Sequence, residues 1–313
     1  MPLDPQIRQL LKALREAPLP AQTSVQELRK AVEEQHKPLV AAAREPVAET
    51  RDVQVPAQGG SIRARVYVPR KAQGLPLVLY YHGGGFVFGN VETHDHICRR
   101  LSRQADAVVV SVDYRLAPEH KFPTAVLDAY AALRWAAENA HEFGADPGKI
   151  AVAGDSAGGN LAAVVSILDR DSGERLVKKQ VLIYPVVNMT GVPTKSVAEY
   201  GAAEDAFLSL DMMAWFGRQY LAKPEDAFDI RASPILADLA GLPPALVIAA
   251  EYDPLRDEDE LYAFKMRAAG SRATAAVFSG MVHGFVSFYP LVDAGREALD
   301  LAAASIKSSL QTS

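Results

Sequence analysis

The stretch Ala151-Val152-Ala153-Gly154-Asp155-Ser156-Ala157-Gly158-Gly159-Asn160-Leu161-Ala162-Ala163-Val164 decides how this chain is read. Ile150 and the first three of these residues make a short apolar run, read as a buried strand. Gly154 to Gly158 turn sharply, and the sequence from Asn160 through Val165 starts a helix. A serine in G-x-S-x-G at a strand-to-helix turn is a nucleophile elbow. The reason is steric: glycines two before and two after the serine let strand and helix backbones approach without a Cβ between them. The helix N-terminus beneath the serine favours negative charge, which suits an oxygen about to attack a carbonyl.

Size and composition narrow the field. The chain has 313 residues, 49% hydrophobic and 23% charged, as in ordinary globular proteins. Such a chain buries roughly three quarters of its unfolded surface, so one large domain with an elaboration is expected. Lys and Arg number 33 against 38 Asp and Glu, a net charge of −5 without a basic run, which argues against a nucleic-acid partner. The single cysteine, Cys98, forbids an internal disulfide and points to a reducing, cytoplasmic setting. The first residues show no signal-peptide pattern, and no apolar run reaches the ~18 residues of a membrane span, so no stable membrane insertion is expected.

Taken in order, Asp4-Pro5 caps a helix carrying Ile7, Leu10, Leu11 and Leu14, which ends near Pro18 and Pro20. Ser24-Val25-Gln26-Glu27 is a capping box opening a second short helix, with Val25, Leu28 and Val32 on one side. These helices either pack on the core or form half of a lid. Val53 and Val55, then Ile62 to Val68, alternate like two strands joined around Gln58-Gly59-Gly60. Continuous apolar strands follow at residues 77–81, 107–112, 150–153, 181–184, 245–250 and 275–278. Helices are expected around Ile97 and Leu101, and over 127–143, 261–269 and 294–306. This rhythm means a mostly parallel sheet covered on both faces, with the early pair as an antiparallel edge. Asn188 to about Asp229, rich in Met, aromatic and acidic residues, reads as an insertion that could roof the ends of the strands.

A serine hydroxyl needs a base, and the base needs an orienting group. Of seven histidines, His283 follows the last strand in Gly280-Met281-Val282-His283-Gly284-Phe285 and is the expected general base. Asp253, in Glu251-Tyr252-Asp253-Pro254-Leu255-Arg256-Asp257, is the expected orienting acid. Asp257 competes, but sits where an N-cap for the next helix belongs, and Glu251 is read as support. The order Ser, Asp, His is that of α/β hydrolases rather than of chymotrypsin or subtilisin. His82-Gly83-Gly84-Gly85-Phe86, after a core strand, offers amides for a tetrahedral oxyanion: Gly84, Gly85 and Ala157. His82 is expected to anchor that loop, and Asp155 to brace the elbow. His94-Asp95-His96 lacks a third metal ligand and is read as a solvated face, so neither a metal nor a cofactor is expected. Phe86, Phe88 and Phe285, beside the catalytic loops, are expected to touch substrate. Phe207 and Leu208, with Met212, Met213, Trp215 and Phe216, are further candidates on the insertion.

Five stretches, HGGGF at His82, DYRLAPEHKFP at Asp113, GDSAGGN at Gly154, EYDPLRD at Glu251 and HGF at His283, resemble the bacterial and archaeal hormone-sensitive-lipase-like carboxylesterases. The resemblance spans about Arg65 to Phe285. It implies an α/β-hydrolase fold: a mostly parallel eight-stranded sheet with helices on both faces and a helical cap. The expected division is 1–45 as N-terminal helices of the cap, 46–187 and 230–313 as core, and 188–229 as cap insertion. It also implies Ser156, Asp253 and His283 as a triad, short- to medium-chain acyl esters as small-molecule substrates, and a homodimer. Phe86 stands where many relatives carry tryptophan, so pocket width is open. A trypsin-like protease shares Gly-Asp-Ser, but is all-β, disulfide-bonded and carries its histidine first. A receptor on this scaffold lacks the triad histidine, which is present here. Activity is expected to fall as pH drops through the ordinary imidazole range, ~6.5.

Overall fold

The computed structural model describes residues 2–16, 24–203 and 207–310. Helix α1 (Pro5–Glu16) opens with the Asp4 carboxylate accepting the Gln6 amide at 2.7 Å, and α2 (Val25–Ala42) with both bonds of the Ser24–Glu27 capping box. The second helix is longer than expected because it runs through Pro38. That proline is exposed, so the carbonyl it leaves unpaired can bond water. Strands β1 (Glu49–Ala57) and β2 (Gly60–Val68) pair antiparallel, with Val53 opposite Ala64 and Val55 opposite Ile62.

The alternation of strand and helix then follows: β3 (Leu75–Tyr81), α3 (Asp95–Ala105), β4 (Val108–Val112), α4 (Thr124–Asn139), β5 (Ala145–Asp155), α5 (Ala157–Ser172) and β6 (Val177–Ile183). After β6 come α6 (Lys195–Tyr200) and α7 (Leu210–Tyr220), with no strand among the described residues before β7 (Ala245–Tyr252). The chain closes with α8 (Arg256–Ala268), β8 (Ala273–Val282) and α9 (Asp293–Leu310). The strands form one eight-stranded sheet in the order β1-β2-β4-β3-β5-β6-β7-β8, antiparallel through β2 and β4 and parallel from β4 to β8.

Successive residues of the buried strands feed two cores. Leu77, Leu79, Val108, Val110 and Val152 join α4, α5 and α8 on one face. Val78, Tyr80, Val109, Ala151 and Ala153 join α1, α3 and α9 on the other. Strands covered on both faces need apolar residues at every position, which is why they read as continuous runs. Ile7, Leu10 and Leu11 are all buried in the second core, so α1 packs on the sheet domain. It is α2 that reaches the loops at the carboxyl ends of the strands, where its Arg29 bonds the carbonyls of Val87 and Ala117. Those ends also release His82 from β3, Ser156 from β5, Asp253 from β7 and His283 from β8.

Helix α8 starts at Arg256, five residues before the expected Leu261. Its acidic first turn, Asp257 to Asp259, suits the positive end of the helix dipole. Leu255 therefore holds the N-cap position, and Asp257 lies inside the first turn rather than capping it.

Candidate active site

Ser156 sits between the end of β5 and the start of α5 with φ 54 and ψ −118, a backbone conformation costing about 1–3 kcal/mol for a residue with a Cβ. Its neighbours hold it there. The Ser156 amide donates to the Ile183 carbonyl at 2.8 Å, and its carbonyl accepts from Asn160 at 3.0 Å and Val186 at 3.3 Å. A Cβ on Gly154 would strike the Gly158 carbonyl, and one on Gly158 would strike the Tyr81 and His82 carbonyls. Both glycines are thus required by close approach.

His283 Nε2 lies 2.9 Å from Ser156 Oγ, and His283 Nδ1 lies 2.7 Å from Asp253 Oδ2. Asp253 is fully buried and its other oxygen accepts the Leu255 amide at 2.9 Å. A carboxylate at Nδ1 fixes the proton there, which leaves the Nε2 lone pair facing the serine hydroxyl. The Tyr184 ring packs on the imidazole at 4.7 Å between centroids. Asp257 is engaged elsewhere: it accepts the Ser196 amide at 2.7 Å and pairs with Arg256 at 2.9 Å. Glu251 accepts the Gly280 amide at 2.7 Å, three residues before His283.

The amides of Gly84, Gly85 and Ala157 donate to no acceptor among the described residues. Ala157 is the first residue of α5, where a helix leaves its N–H groups unpaired. Beneath them, His82 Nδ1 donates to the Gly83 carbonyl at 2.8 Å, and the ring stacks on Tyr114 at 4.3 Å. Burial, with His94 beside it, pushes His82 down to about 3, so the ring is a neutral anchor. Asp155 Oδ1 accepts the Tyr80 hydroxyl at 2.7 Å and the Gly83 amide at 3.0 Å, tying the elbow to the glycine loop. Burial alone would raise its carboxyl, but His94, 3.5 Å away, and Tyr80 hold it below the usual carboxylate range.

The solvated face expected at His94-Asp95-His96 is instead buried. The polar side chains at the start of α3 find protein partners from β2, from α3 itself and from the turn at Ser287. Asp95 accepts from the Tyr67 hydroxyl at 3.0 Å and from Arg99 at 2.6 Å, while His96 Nε2 donates to the Ser287 carbonyl at 3.0 Å. No group of three or more His, Cys, Asp or Glu residues among those described could hold a metal ion.

Two of the expected substrate contacts are core residues. Phe86 stacks on Tyr220 at 3.7 Å, and Phe285 packs against Tyr184 and Phe278 in the second core. Phe86 and Phe285 are 2% and 0% exposed. Phe88 and Phe207 are half-buried, and Leu208 is buried at the same segment. Phe88 meets Phe216 at 5.7 Å, and Phe216 lies so close over Gly85 that a Cβ there would enter its ring. Phe207 lies in the same way against Gly284, beside His283.

Sequence reasoning missed Tyr184, Tyr80 and Glu258. The Tyr80-Tyr81 pair carries a signal, since neighbouring strand residues face opposite sides and one tyrosine must find a polar partner in each core. Glu258 hides in a charge-rich run that reads as a wet helix. It is buried, and its Oε1 accepts the amides of Val187 at 2.8 Å and Asn188 at 3.2 Å.

An eight-stranded sheet with a serine elbow, a histidine and an acid at the carboxyl ends of its strands is the arrangement of α/β hydrolases. The sequence profile of a family described as alpha/beta hydrolase fold matches residues 78–287. The chain belongs to this family. It is 40% identical over 292 residues to an arylesterase of Saccharolobus solfataricus, covering 91% of this chain and 93% of that protein. It is 46% identical over 247 residues to the carboxylic ester hydrolase LipN of Mycobacterium tuberculosis, covering 77% of this chain and 65% of LipN. Among solved structures, EstE1, a thermophilic and thermostable carboxylesterase cloned from a metagenomic library, is 75% identical with a TM-score of 0.91, over 92% of this chain and 98% of EstE1. The Pyrobaculum calidifontis esterase is 59% identical with a TM-score of 0.94, over 98% of this chain and 99% of that one.

Proposed function

We propose that this chain is a serine carboxylesterase that hydrolyses short- to medium-chain acyl esters through an acyl-enzyme on Ser156. The single observation that carries this reading is the continuous contact from Asp253 through His283 to Ser156, at 2.7 Å and 2.9 Å. Ser156 Oγ attacks the ester carbonyl as its proton passes to His283 Nε2. Asp253 holds the imidazolium, and the oxyanion takes hydrogen bonds from the Gly84, Gly85 and Ala157 amides. The C–O bond to the alcohol breaks as His283 returns the proton to the leaving oxygen. A water then gives its proton to His283, attacks the acyl carbon, and the acid departs with Ser156 restored. The names of the relatives support esters as the substrate class.

The cap consists of α2 with the 188–229 segment, and Phe88, Phe207, Leu208 and Phe216 bound the acyl or alcohol side of the pocket. Support comes from the contacts of Phe216 over Gly85 and Phe207 at Gly284. The protein works as a homodimer. Strand β8 is an end strand, paired with β7, and Val277, Leu261 and Phe264 near it are exposed. Sedimentation at two concentrations tests that state, and a monomer at both removes it. A cytoplasmic location is proposed on the lone cysteine, Cys98, a buried thiol.

The test is a rate series on aryl esters of increasing acyl length, with Ser156→Ala alongside. A maximum at short to medium chains, reduced to traces in the variant, supports the reading. A rise towards long emulsified chains makes the protein a lipase. Near-wild-type turnover in Ser156→Ala, or no turnover with tight binding of a small ligand, ends it.

A further inference from the structure

We propose that Arg29, on the cap helix α2, is a positioning residue for the oxyanion amides, so that docking of this helix shapes the hole. The inference rests on the esterase reading above. Arg29 Nε donates to the Val87 carbonyl at 2.7 Å, and its Nη2 to the Ala117 carbonyl at 2.8 Å. These carbonyls belong to the two loops of the HGGGF and RLAPEH stretches, which also meet through the Ala117 amide and the Phe86 carbonyl at 2.9 Å. The amides of Val87 and Phe88 both donate to the Gly84 carbonyl at 3.0 Å. Arg29 therefore grips the far end of the same tight turn that carries the Gly84 and Gly85 amides.

The guanidinium is itself fixed. Glu119 binds it with both oxygens, at 2.9 Å and 2.7 Å, and Gln26, three residues earlier on α2, donates to Glu119 at 3.1 Å. A planar fork reaching one carboxylate and two carbonyls is a geometry that the point charge of a lysine does not reproduce. Apolar packing on α2 is limited: Val32 is its one buried residue, with Val25 and Leu39 partly buried against the cores. Arg29, supported by Gln26 through Glu119, thus supplies the polar contacts that tie this helix to the two loops.

Arg29→Met should lower kcat about tenfold or more, a part of what losing one oxyanion donor costs, with KM for a small aryl acetate changed far less. Affinity for an arylboronic acid, whose tetrahedral adduct on Ser156 places an oxygen in the hole, should fall with kcat/KM. The pH profile should keep its midpoint, since His283 and Asp253 are untouched. Arg29→Lys should recover only part of the loss, and Lys37→Met, at an exposed site of the same helix, should leave kcat unchanged. If Arg29→Met does not fold, Glu119→Gln, which loosens the arginine without removing it, should show the same pattern to a smaller degree. Wild-type kcat and boronate affinity in a folded variant with a lowered Tm would make Arg29 a stability residue and overturn the proposal. If the wild-type protein neither turns over esters nor is labelled at Ser156 by a phosphonate, the esterase reading fails instead.

Discussion

Gly158 shows how a single missing Cβ permits the chemistry. The first turn of α5 approaches the end of β3 so closely that any side chain at this position would meet the Tyr81 carbonyl. Neither backbone can retreat, because Tyr81 is in register with Gly154 in the sheet and Ser156 is bonded to the Ile183 carbonyl. Gly158→Ala should therefore destabilise the fold by about 3 kcal/mol or more, beyond the usual range for a small overpacking, with activity lost in parallel. Urea unfolding checks this, and a change below about 1 kcal/mol would mean the turn can relax. Gly217 is the counterpart. It lies inside α7 with open space where a Cβ would stand. There, alanine should stabilise by about 0.5–1 kcal/mol, since glycine in a helix interior carries that cost.

At the scale of elements, the beginning of α8 carries more than its sequence suggests. Asp253, Glu258 and Asp259 are all buried within one turn of this helix start. Burial, with the Asp253 charge adding to it, pushes the Glu258 carboxyl up to about 8, against two backbone amides that pull the other way. Asp259 is raised as well, by burial first and Asp253 second. A folded carboxyl that keeps its proton while the unfolded one releases it near 4.5 contributes stability below that pH and loses it as pH rises through 8. Glu258→Gln keeps the neutral shape at every pH, so its stability relative to wild type should grow from pH 5 to pH 8 by at least about 1 kcal/mol. Denaturant curves at the two pH values decide it, and a constant difference would mean that Glu258 is ionised throughout. Two histidines work in the opposite sense. Burial pushes His82 down to about 3 and His96 to about 4, from an ordinary 6.5. The unfolded chain binds the extra protons, so their contribution is complete above about 6.5 and is lost as pH falls towards 4. Glu258, Asp259 and His96 were not legible as buried groups, because charge-rich runs such as Arg256 to Glu260 and His94 to His96 look solvated in the sequence; His82 and Asp253 were read from the motifs that hold them.

For the molecule as a whole, the succession of strands along the chain was legible because continuous apolar runs and glycine-flanked turns are local signals, whereas their order in the sheet, with β4 between β2 and β3, depends on long-range pairing. Ser156, Asp253 and His283 follow strand ends, and a parallel sheet gathers such ends on one side. What touches the substrate was less legible, since an aromatic beside a catalytic loop can enter either the pocket or the core. Phe86 and Phe285 went to the core, held by Tyr220 in one case and by Tyr184 and Phe278 in the other. Phe216, 131 positions from Gly85 in the sequence, comes to lie on that glycine because the segment after β6 folds back over the sheet. This separation gives a paired test. Phe216→Ala removes a ring from the pocket mouth, so the acyl length of maximal kcat/KM should lengthen by roughly two to four carbons, with stability lowered only modestly because the ring is half-buried. Phe86→Ala leaves a cavity under Tyr220 and should cost about 3–5 kcal/mol without moving that maximum. Rates on aryl esters from acetate to dodecanoate, with Tm for both variants, separate the two roles. A longer optimum in Phe86→Ala, with none in Phe216→Ala, would return Phe86 to the pocket and place the cap ring outside it.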